Sequence, residues 1–179
     1  MEEVYKPSED SYLLQKYIEQ LVSGRVLDMG TGSGLQTVTA ASKSEVFKVV
    51  AVDINPTALI VAEKCALDAG VLNKVEFVLS DLFARVEGRF DWILFNTPYL
   101  PSEGDADEAS WAGGETGGEV IRRFLSDVID FLSPRGTILM VYSSLSGITE
   151  DDLKDFRFEL LEEIGLFFEK ISCVRLNPF

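Results

Sequence analysis

The chain has 179 residues, 46% of them hydrophobic, so it can bury one sizeable core, and we expect a single domain over residues 1–179. Its formal net charge of −14 argues against a protein that holds nucleic acid by the phosphates. A basic protein partner suits this charge better, although surplus acid can also serve only to keep a domain soluble.

Other classes are excluded by what the sequence lacks. Cys65 and Cys173 lie far apart and the chain has no histidine, so we expect neither a structural zinc site nor any other metal centre. The N-terminus, Met1-Glu2-Glu3-Val4-Tyr5, does not have the basic and apolar regions of a signal peptide, and no run approaches a membrane span. We therefore expect a cytoplasmic protein, also nuclear if eukaryotic, without membrane attachment.

The first half of the chain alternates between helical and strand patterns. After Pro7-Ser8-Glu9-Asp10, apolar residues at helical spacing predict a helix to about Val22. Asn55, Pro56 and Gly70 suit the cap, the first position and the end of another helix. The predicted strands are residues 25–29, 48–53 and 75–79, and the predicted helices after the first are residues 35–43 and 56–68.

The second half begins with a fourth strand, which ends in Asn96-Thr97-Pro98-Tyr99. A Gly-rich, acidic loop follows and extends to Glu119, and its most acidic part is the stretch from Glu103 to Glu108. The elements predicted after this loop are a helix over residues 120–132, a turn over 133–136, a fifth strand over 137–142, a short helix over 149–156 and an antiparallel hairpin over about 158–176.

Strand and helix alternate through five units, which predicts an α/β fold with a mostly parallel sheet and helices on both faces. In such sheets, ligands bind outside the carboxyl ends of the strands. The predicted strands place several polar groups at this rim, namely Gly30 to Gly34, Asp53, Asp81 and Asn96 to Tyr99. Their convergence predicts one binding site there.

The glycine loop Gly30-Thr31-Gly32-Ser33-Gly34 is related to a dinucleotide fingerprint, but Leu35 stands where that fingerprint has its third glycine. Asp28 lies two residues before the loop. A carboxylate there would repel a pyrophosphate, whereas it suits a ligand with a cationic amino group. The loop therefore favours S-adenosylmethionine over a nicotinamide cofactor.

Two further acids fit the rest of such a ligand. Asp53 is placed to accept hydrogen bonds from ribose hydroxyls, and Asp81 can accept from the exocyclic amine of adenine while the Leu82 amide donates to the ring. Each acid taken singly suits a solvated cap equally well, whereas their convergence favours a cofactor site.

The sequence Asn96-Thr97-Pro98-Tyr99 suits a planar nitrogen. The side-chain oxygen of Asn96 can accept one N–H and the carbonyl of Thr97 the other, with Pro98 fixing the direction of that carbonyl. Tyr99 offers an aromatic face for a planar group. This arrangement would aim the nitrogen lone pair at a methyl group without a histidine base. In isolation, the same residues would indicate an Asn-Pro turn at a strand end.

With these residues in place, the chain resembles the class I S-adenosylmethionine-dependent methyltransferases. Within them it is similar to the HemK-like protein glutamine methyltransferases, in the archaeal and eukaryotic branch that modifies class I release factors. The resemblance is carried by Tyr5-Lys6-Pro7-Ser8-Glu9-Asp10-Ser11-Tyr12, Leu27-Asp28-Met29-Gly30-Thr31-Gly32-Ser33-Gly34, Asp53-Ile54-Asn55-Pro56, Asp81-Leu82, Asn96-Thr97-Pro98-Tyr99, Trp111-Ala112-Gly113-Gly114, Gly117-Gly118 and Leu132-Ser133-Pro134-Arg135-Gly136.

The resemblance implies a Rossmann-like fold with a seven-stranded, mostly parallel sheet, an antiparallel last strand and no separate N-terminal substrate domain. It implies N5-methylation of the glutamine in the Gly-Gly-Gln loop of a release factor, with S-adenosyl-L-methionine as cofactor. It also implies a heterodimer with a small zinc-binding activator of the Trm112 type, which would lie along the edge of the third strand, from Leu72 to Leu79.

The resemblance also implies which residues form the site. The catalytic residues would be Asn96, Thr97, Pro98 and Tyr99. The cofactor-binding residues would be Asp10, Ser11, Asp28, Gly30, Thr31, Gly32, Gly34, Asp53, Ile54, Asp81, Leu82 and Asn96.

One departure and several alternatives remain. The commonest family motif has proline where this chain has Thr97, which predicts a slightly looser backbone. The acidic stretch from Glu103 to Glu108 matches no family role and suits either a basic partner or solvent. Alternative activities are methylation of an adenine amino group or of a lysine in a basic tail, and alternative classes are a dinucleotide-binding domain or a non-catalytic scaffold. The charge opposes the adenine, and a neutral Asn96 cannot remove the proton from a lysine ammonium.

Overall fold

A computed structural model describes residues 4–98 and 118–179, so the predictions for Tyr99 and for the stretch from Glu103 to Glu108 lie outside the described residues. The strands are β1 (Gly24–Met29), β2 (Val46–Asp53), β3 (Val75–Leu79), β4 (Phe90–Asn96), β5 (Leu132–Ser143), β6 (Phe156–Leu166) and β7 (Glu169–Pro178). The α-helices are α1 (Glu9–Leu21), α2 (Leu35–Ala41), α3 (Pro56–Asp68) and α4 (Glu119–Asp127). Short 3-10 helices are formed by Leu72–Lys74, Val128–Phe131, Ser144–Ser146 and Glu150–Leu153.

All seven strands belong to one sheet, in the order β3-β2-β1-β4-β5-β7-β6. The first five strands pair in parallel, whereas β7 runs antiparallel to both β5 and β6. The predicted α/β sheet with an antiparallel C-terminal hairpin is therefore confirmed. The order also places the carboxyl ends of the parallel strands on one rim, and it leaves β3 and β6 as the two edges of the sheet.

The core lies in two layers because successive side chains of a strand point to opposite faces. Ile93 and Phe95 of β4 belong to the layer that includes Phe124 of α4. Leu94 belongs to the opposite layer, which includes Leu14 and Ile18 of α1. Helices therefore cover both faces of the sheet, as predicted. Within residues 4–98 and 118–179, none of the helices combines the length and the apolar character that crossing a membrane requires.

No element is predicted between β3 and β4, where a regular alternation of strand and helix would have a helix. Residues 80–89 form turns instead of a helix. Phe83 and Val86 of this segment are buried in the core, and the Phe83 ring stacks on Phe124 and on Phe131, with centroids 5.4 and 4.4 Å apart. Two apolar side chains thus cover the part of the sheet that a helix would cover.

Three boundaries after the loop differ from the predictions. The helix predicted over residues 120–132 ends at Asp127 and tightens into a 3-10 helix, and the helix predicted over 149–156 is the 3-10 helix Glu150–Leu153. The turn predicted over residues 133–136 lies inside β5. Phe90 pairs with Leu132 and Trp92 with Thr137, so the residues between the two pairs form a bulge in the strand.

We expect Gly34→Ala to destabilise the protein by about 3 kcal/mol. Gly34 has φ +82°, and an added Cβ would lie 2.8 Å from the Cα of Ala62 in α3. Gly70→Ala is the matched control because Gly70 has φ +71° with open space around it, and we expect a loss of about 1 kcal/mol there. Urea denaturation measures both. Equal losses would mean that backbone conformation alone, and not contact between the helices, sets the cost.

Candidate functional site

A cavity of about 270 Å³ opens at the rim formed by the carboxyl ends of the parallel strands. Most of the predicted site residues line it, which brings together segments from five parts of the chain. Those residues are Asp10, Ser11, Gly30, Thr31, Gly32, Asp53, Ile54, Asp81, Leu82, Asn96, Thr97 and Pro98. Asp28 and Gly34 do not line the cavity, and Tyr99 lies outside the described part of the chain.

Asp53 holds the glycine loop in place. One carboxylate oxygen accepts a hydrogen bond from the Gly32 amide at 2.9 Å, and the other accepts from the Asn55 amide at 2.9 Å. Burial raises the pKa of Asp53, while these backbone donors act in the opposite direction. The carboxylate therefore fixes the loop, and each of its oxygens retains acceptor capacity towards the cavity wall that the residue lines.

Asp28 and Gly34 support the loop from behind. The Thr37 hydroxyl donates to Asp28 at 2.7 Å and lies 3.0 Å from the Thr31 hydroxyl, so Asp28 anchors the loop through two threonines. Burial raises the pKa of Asp28 to about 6. Gly34 begins α2 against Ala62. The structure thus gives both residues a supporting place in the loop, and direct contact with a ligand stays a prediction for them.

Hydrogen bonding fixes the orientation of the Asn96 side-chain amide. Its Nδ2 donates to Oδ2 of Asp10 at 2.9 Å and lies 3.3 Å from the Ser11 hydroxyl, while Oδ1 is buried and has no hydrogen-bond partner among the described residues. A carboxylate can only accept, so the N–H group must face Asp10 and the oxygen must face away from it. Because an unpaired buried acceptor costs about 1 to 3 kcal/mol, this oxygen is suited to a ligand N–H.

The N-terminal segment holds Asp10 in turn. The Tyr5 hydroxyl donates to Oδ1 of Asp10 at 3.1 Å, and the Ser11 amide donates to the same oxygen at 2.6 Å. Burial, with the charge of Asp10, raises the pKa of the Tyr5 hydroxyl, so it remains a donor at neutral pH. Asp10 and Ser11, predicted to bind the cofactor, therefore also position Asn96.

Two hydrogen bonds hold Thr97 against β5. Its backbone N–H and its hydroxyl both donate to the carbonyl oxygen of Val141 in β5, at 3.1 and 2.8 Å. Proline has neither donor. Two hydrogen bonds thus take the place of the proline ring at this position, and the slightly looser backbone stays a prediction.

Gln36 and Arg123 are two of the cavity residues that the sequence did not identify as part of the site. Gln36 is 5% exposed, its Nε2 donates to the Ser11 carbonyl at 2.8 Å, and its Oε1 has no partner in the described part of the chain. In the sequence, the signal that could have identified Gln36 is that it is the one large polar residue of α2. Arg123 of α4 lies 2.7 Å from a carboxylate oxygen of Asp81. This pair joins elements far apart in sequence, so no local pattern indicates it.

Comparisons with known proteins show which family the chain belongs to. The sequence model of the methyltransferase small domain family matches residues 6–163. A Methanocaldococcus jannaschii protein, named as a protein N5-glutamine methyltransferase, is 38% identical over 96% of this chain and 90% of its own length. The human methyltransferase HEMK2 is 36% identical over 78% of this chain and 71% of its own length.

A solved structure supports the fold. It is a chain of the E. cuniculi Mtq2-Trm112 complex, which is responsible for methylation of the eRF1 translation termination factor. The TM-score is 0.74 at 23% identity, over 98% of this chain and 99% of that one. The similarity extends through the whole described sheet, including the antiparallel hairpin, and at this identity it concerns the fold alone.

We compare the free energy of unfolding of Asp28→Asn with that of the natural protein. As the pH rises from about 4 to about 7, we expect the difference to shift by about 2 to 3 kcal/mol in favour of the variant. The pKa of Asp28 is about 6 in the folded protein, above the value near 4 of an unfolded chain. The folded state therefore keeps a proton that the unfolded chain has lost, and this stabilisation disappears as the pH rises through 6. Urea titrations at both pH values measure it.

Asp68→Asn is the control for this experiment because Asp68 is exposed at the end of α3. It makes the same chemical change at an exposed position, and the pH dependence of Asp28→Asn is compared with it. An Asp28→Asn difference that does not change with pH would contradict the assignment of the raised pKa to Asp28.

Proposed function

Because the chain belongs to the methyltransferase small domain family and is an enzyme of its HemK-like branch, we propose that it methylates N5 of a protein glutamine. The target proposed is the Gly-Gly-Gln loop of a class I release factor, in the cytoplasm. The observation that carries this proposal is Asn96, which lines the cavity, has its Nδ2 held by Asp10 and leaves its buried Oδ1 without a partner among the described residues.

The residues present fit S-adenosyl-L-methionine, which when bound supplies an electrophilic sulfonium methyl group. The sheet order β3-β2-β1-β4 arranges the polar groups of the rim in a row. Asp81 follows β3, Asp53 ends β2, and Gln36 lies beyond β1 beside Ser11. Adenine, ribose and the amino-acid end would occupy these positions in that order, and the orphaned Oε1 of Gln36 would accept from the ammonium group.

The chain's own groups would align the glutamine. Oδ1 of Asn96 would accept one N–H of the substrate amide and the Thr97 carbonyl the other, which leaves the nitrogen lone pair facing the methyl position. Val141 fixes Thr97, and Asp10 fixes Asn96, so both acceptors are oriented before substrate binds. Alignment of this kind is worth about 7 to 11 kcal/mol. The methylated amide nitrogen would be strongly acidic and would release its extra proton to water, so the step requires no charged base.

The proposed partner is a small zinc-binding activator of the Trm112 type at the edge from Leu72 to Leu79. β3 is an edge strand, so its outer side has no neighbouring strand within the described sheet. Leu79, together with Ile60 and Leu67 of the adjacent α3, is exposed. Exposed apolar side chains beside an open strand edge suit a permanent protein partner, which would bury both.

Mass spectrometry after incubation with labelled S-adenosylmethionine tests the function. Unmodified release factor, an adenine-containing nucleic acid and a lysine-rich protein tail are each supplied, with and without the activator. We expect label on the glutamine of the Gly-Gly-Gln peptide. Asn96→Ala should reduce turnover by about 10² to 10³-fold while cofactor affinity changes little, because it removes one preorganised contact to the reacting group.

Label confined to nucleic acid or to lysine would reverse the proposal. A near-normal rate of Asn96→Ala would show instead that the substrate nitrogen is held by other groups. Tight binding of NAD without binding of S-adenosylmethionine would support the alternative that the chain is a dinucleotide-binding domain.

Gln36→Leu tests the assignment of the cofactor's amino-acid end by binding alone. Loss of the amide oxygen should weaken S-adenosylhomocysteine about 10-fold, which corresponds to one hydrogen bond to a charged group. 5′-Methylthioadenosine carries no ammonium group, so its affinity should be unchanged, and isothermal titration measures both ligands. Equal losses for the two ligands would indicate a packing defect and contradict the assigned contact.

A further inference from the structure

The turn between β6 and β7 exposes two aromatic rings. Leu166 pairs with Glu169, so Phe167 and Phe168 alone form the connection. Their side chains are fully exposed, at 106% and 87%. Isolated exposed apolar residues are ordinary, whereas two adjacent phenylalanines at the end of a hairpin form an apolar surface that folding does not bury.

The backbone of this turn does not favour these residues either. Phe167 has φ +46°, a conformation in which glycine and asparagine are common and bulky residues are rare. Neither burial nor turn geometry therefore accounts for phenylalanine at this position. A conformation that is unfavourable for folding and presents a ring to solvent is a reason to look for a binding role.

The strand register places the turn above the rim of the cavity. Val141 of β5 pairs with Asn96 on one side and with Cys173 of β7 on the other, so these three residues lie at one level. β7 reaches this level from beyond the rim, and at about 3.4 Å per residue Phe168 stands about 17 Å above Asn96. Two strand spacings separate β4 from β7 sideways, which is about 10 Å.

The base of the turn is attached to the rim. The Ser143 hydroxyl donates to Glu169 at 2.5 Å, and the Lys170 amide donates to the Ser144 hydroxyl at 3.0 Å. Lys170 also pairs with Glu163 across the hairpin at 2.8 Å. The end of β5 thus holds the hairpin in one orientation relative to the strand that carries Asn96.

We propose that Phe167 and Phe168 dock the body of the protein substrate while its glutamine enters the cavity. The occupant would be an apolar recess on a basic face of the release factor, beside the target loop, since the chain has a net charge of −14. The rings are too far from Asn96 to touch the glutamine itself and stand where the surrounding protein must lie. The inference rests on the proposed function and extends it to the choice of macromolecule.

The position leaves room for the activator. β3 is at one end of the seven-stranded sheet and the β6-β7 hairpin is at the other. A partner on the β3 edge and a substrate on the hairpin would therefore not compete. Aromatic side chains of this kind are frequent anchors at protein interfaces because they bury much area with little loss of side-chain freedom.

The test compares the double variant Phe167→Ser/Phe168→Ser with Phe47→Ser. Phe47 is 66% exposed near the start of β2, at the end of the sheet opposite the cavity, so it is a matched control. Binding of unmodified release factor is measured with the activator and S-adenosylhomocysteine present. We expect the double variant to bind at least 10-fold more weakly, with a raised KM, an unchanged kcat and unchanged cofactor affinity. Phe47→Ser should behave as the natural protein does.

Each other outcome overturns the inference. Release-factor binding that the double variant leaves unchanged, or that Phe47→Ser weakens equally, would show that the hairpin is not the docking element. Loss of the activator, or loss of a dimer of the enzyme, in the double variant would assign the rings to those partners instead. If the natural protein methylates the factor in these experiments, the proposed function stands; if it does not, the proposed function fails as well.

Discussion

The contact between Asp10 and the side-chain amide of Asn96 determines what the site can do. A carboxylate accepts hydrogen bonds and donates none, so it selects one of the two directions of the amide and leaves the oxygen as the free acceptor. The rest of the structure serves this arrangement. α1 delivers Asp10, β4 delivers Asn96, and the Tyr5 hydroxyl holds the carboxylate between them. In a chain without histidine, a carboxylate thus orients a neutral amide through hydrogen bonds.

Two further carboxylates, Asp28 and Asp53, hold the glycine loop of the cavity through different contacts. Asp28 is sealed behind the glycine loop, where two threonine hydroxyls surround it, whereas Asp53 reaches the loop from the neighbouring strand. Both residues stabilise a loop with an unusual backbone conformation, since Gly30 and Gly32 have positive φ. Rigidity of the loop and affinity for a ligand are therefore properties of the same residues.

The sequence was sufficient for the sheet, its rim and most of the cavity, because periodicity and turn residues are local signals. It predicted no element between β3 and β4, where Phe83 and Val86 cover the sheet through contacts, including one with Phe124 of α4, that no local pattern encodes. For Asp28, the sequence shows the position next to the loop but not the hydrogen bond from Thr37 that ties it to the loop. Gln36 and Arg123 were missed for the same reason, since their roles depend on distant partners.

The two hydrogen bonds from Thr97 to Val141 bear on how the site responds to heat. A proline ring restricts the backbone covalently at every temperature. Hydrogen bonds restrict it only while the neighbouring strand stays in register, and local opening of β5 would release them together. Because β5 lies inside the sheet between β4 and β7 and is largely buried, it should open only with the core, so the backbone at Thr97 stays fixed up to global unfolding.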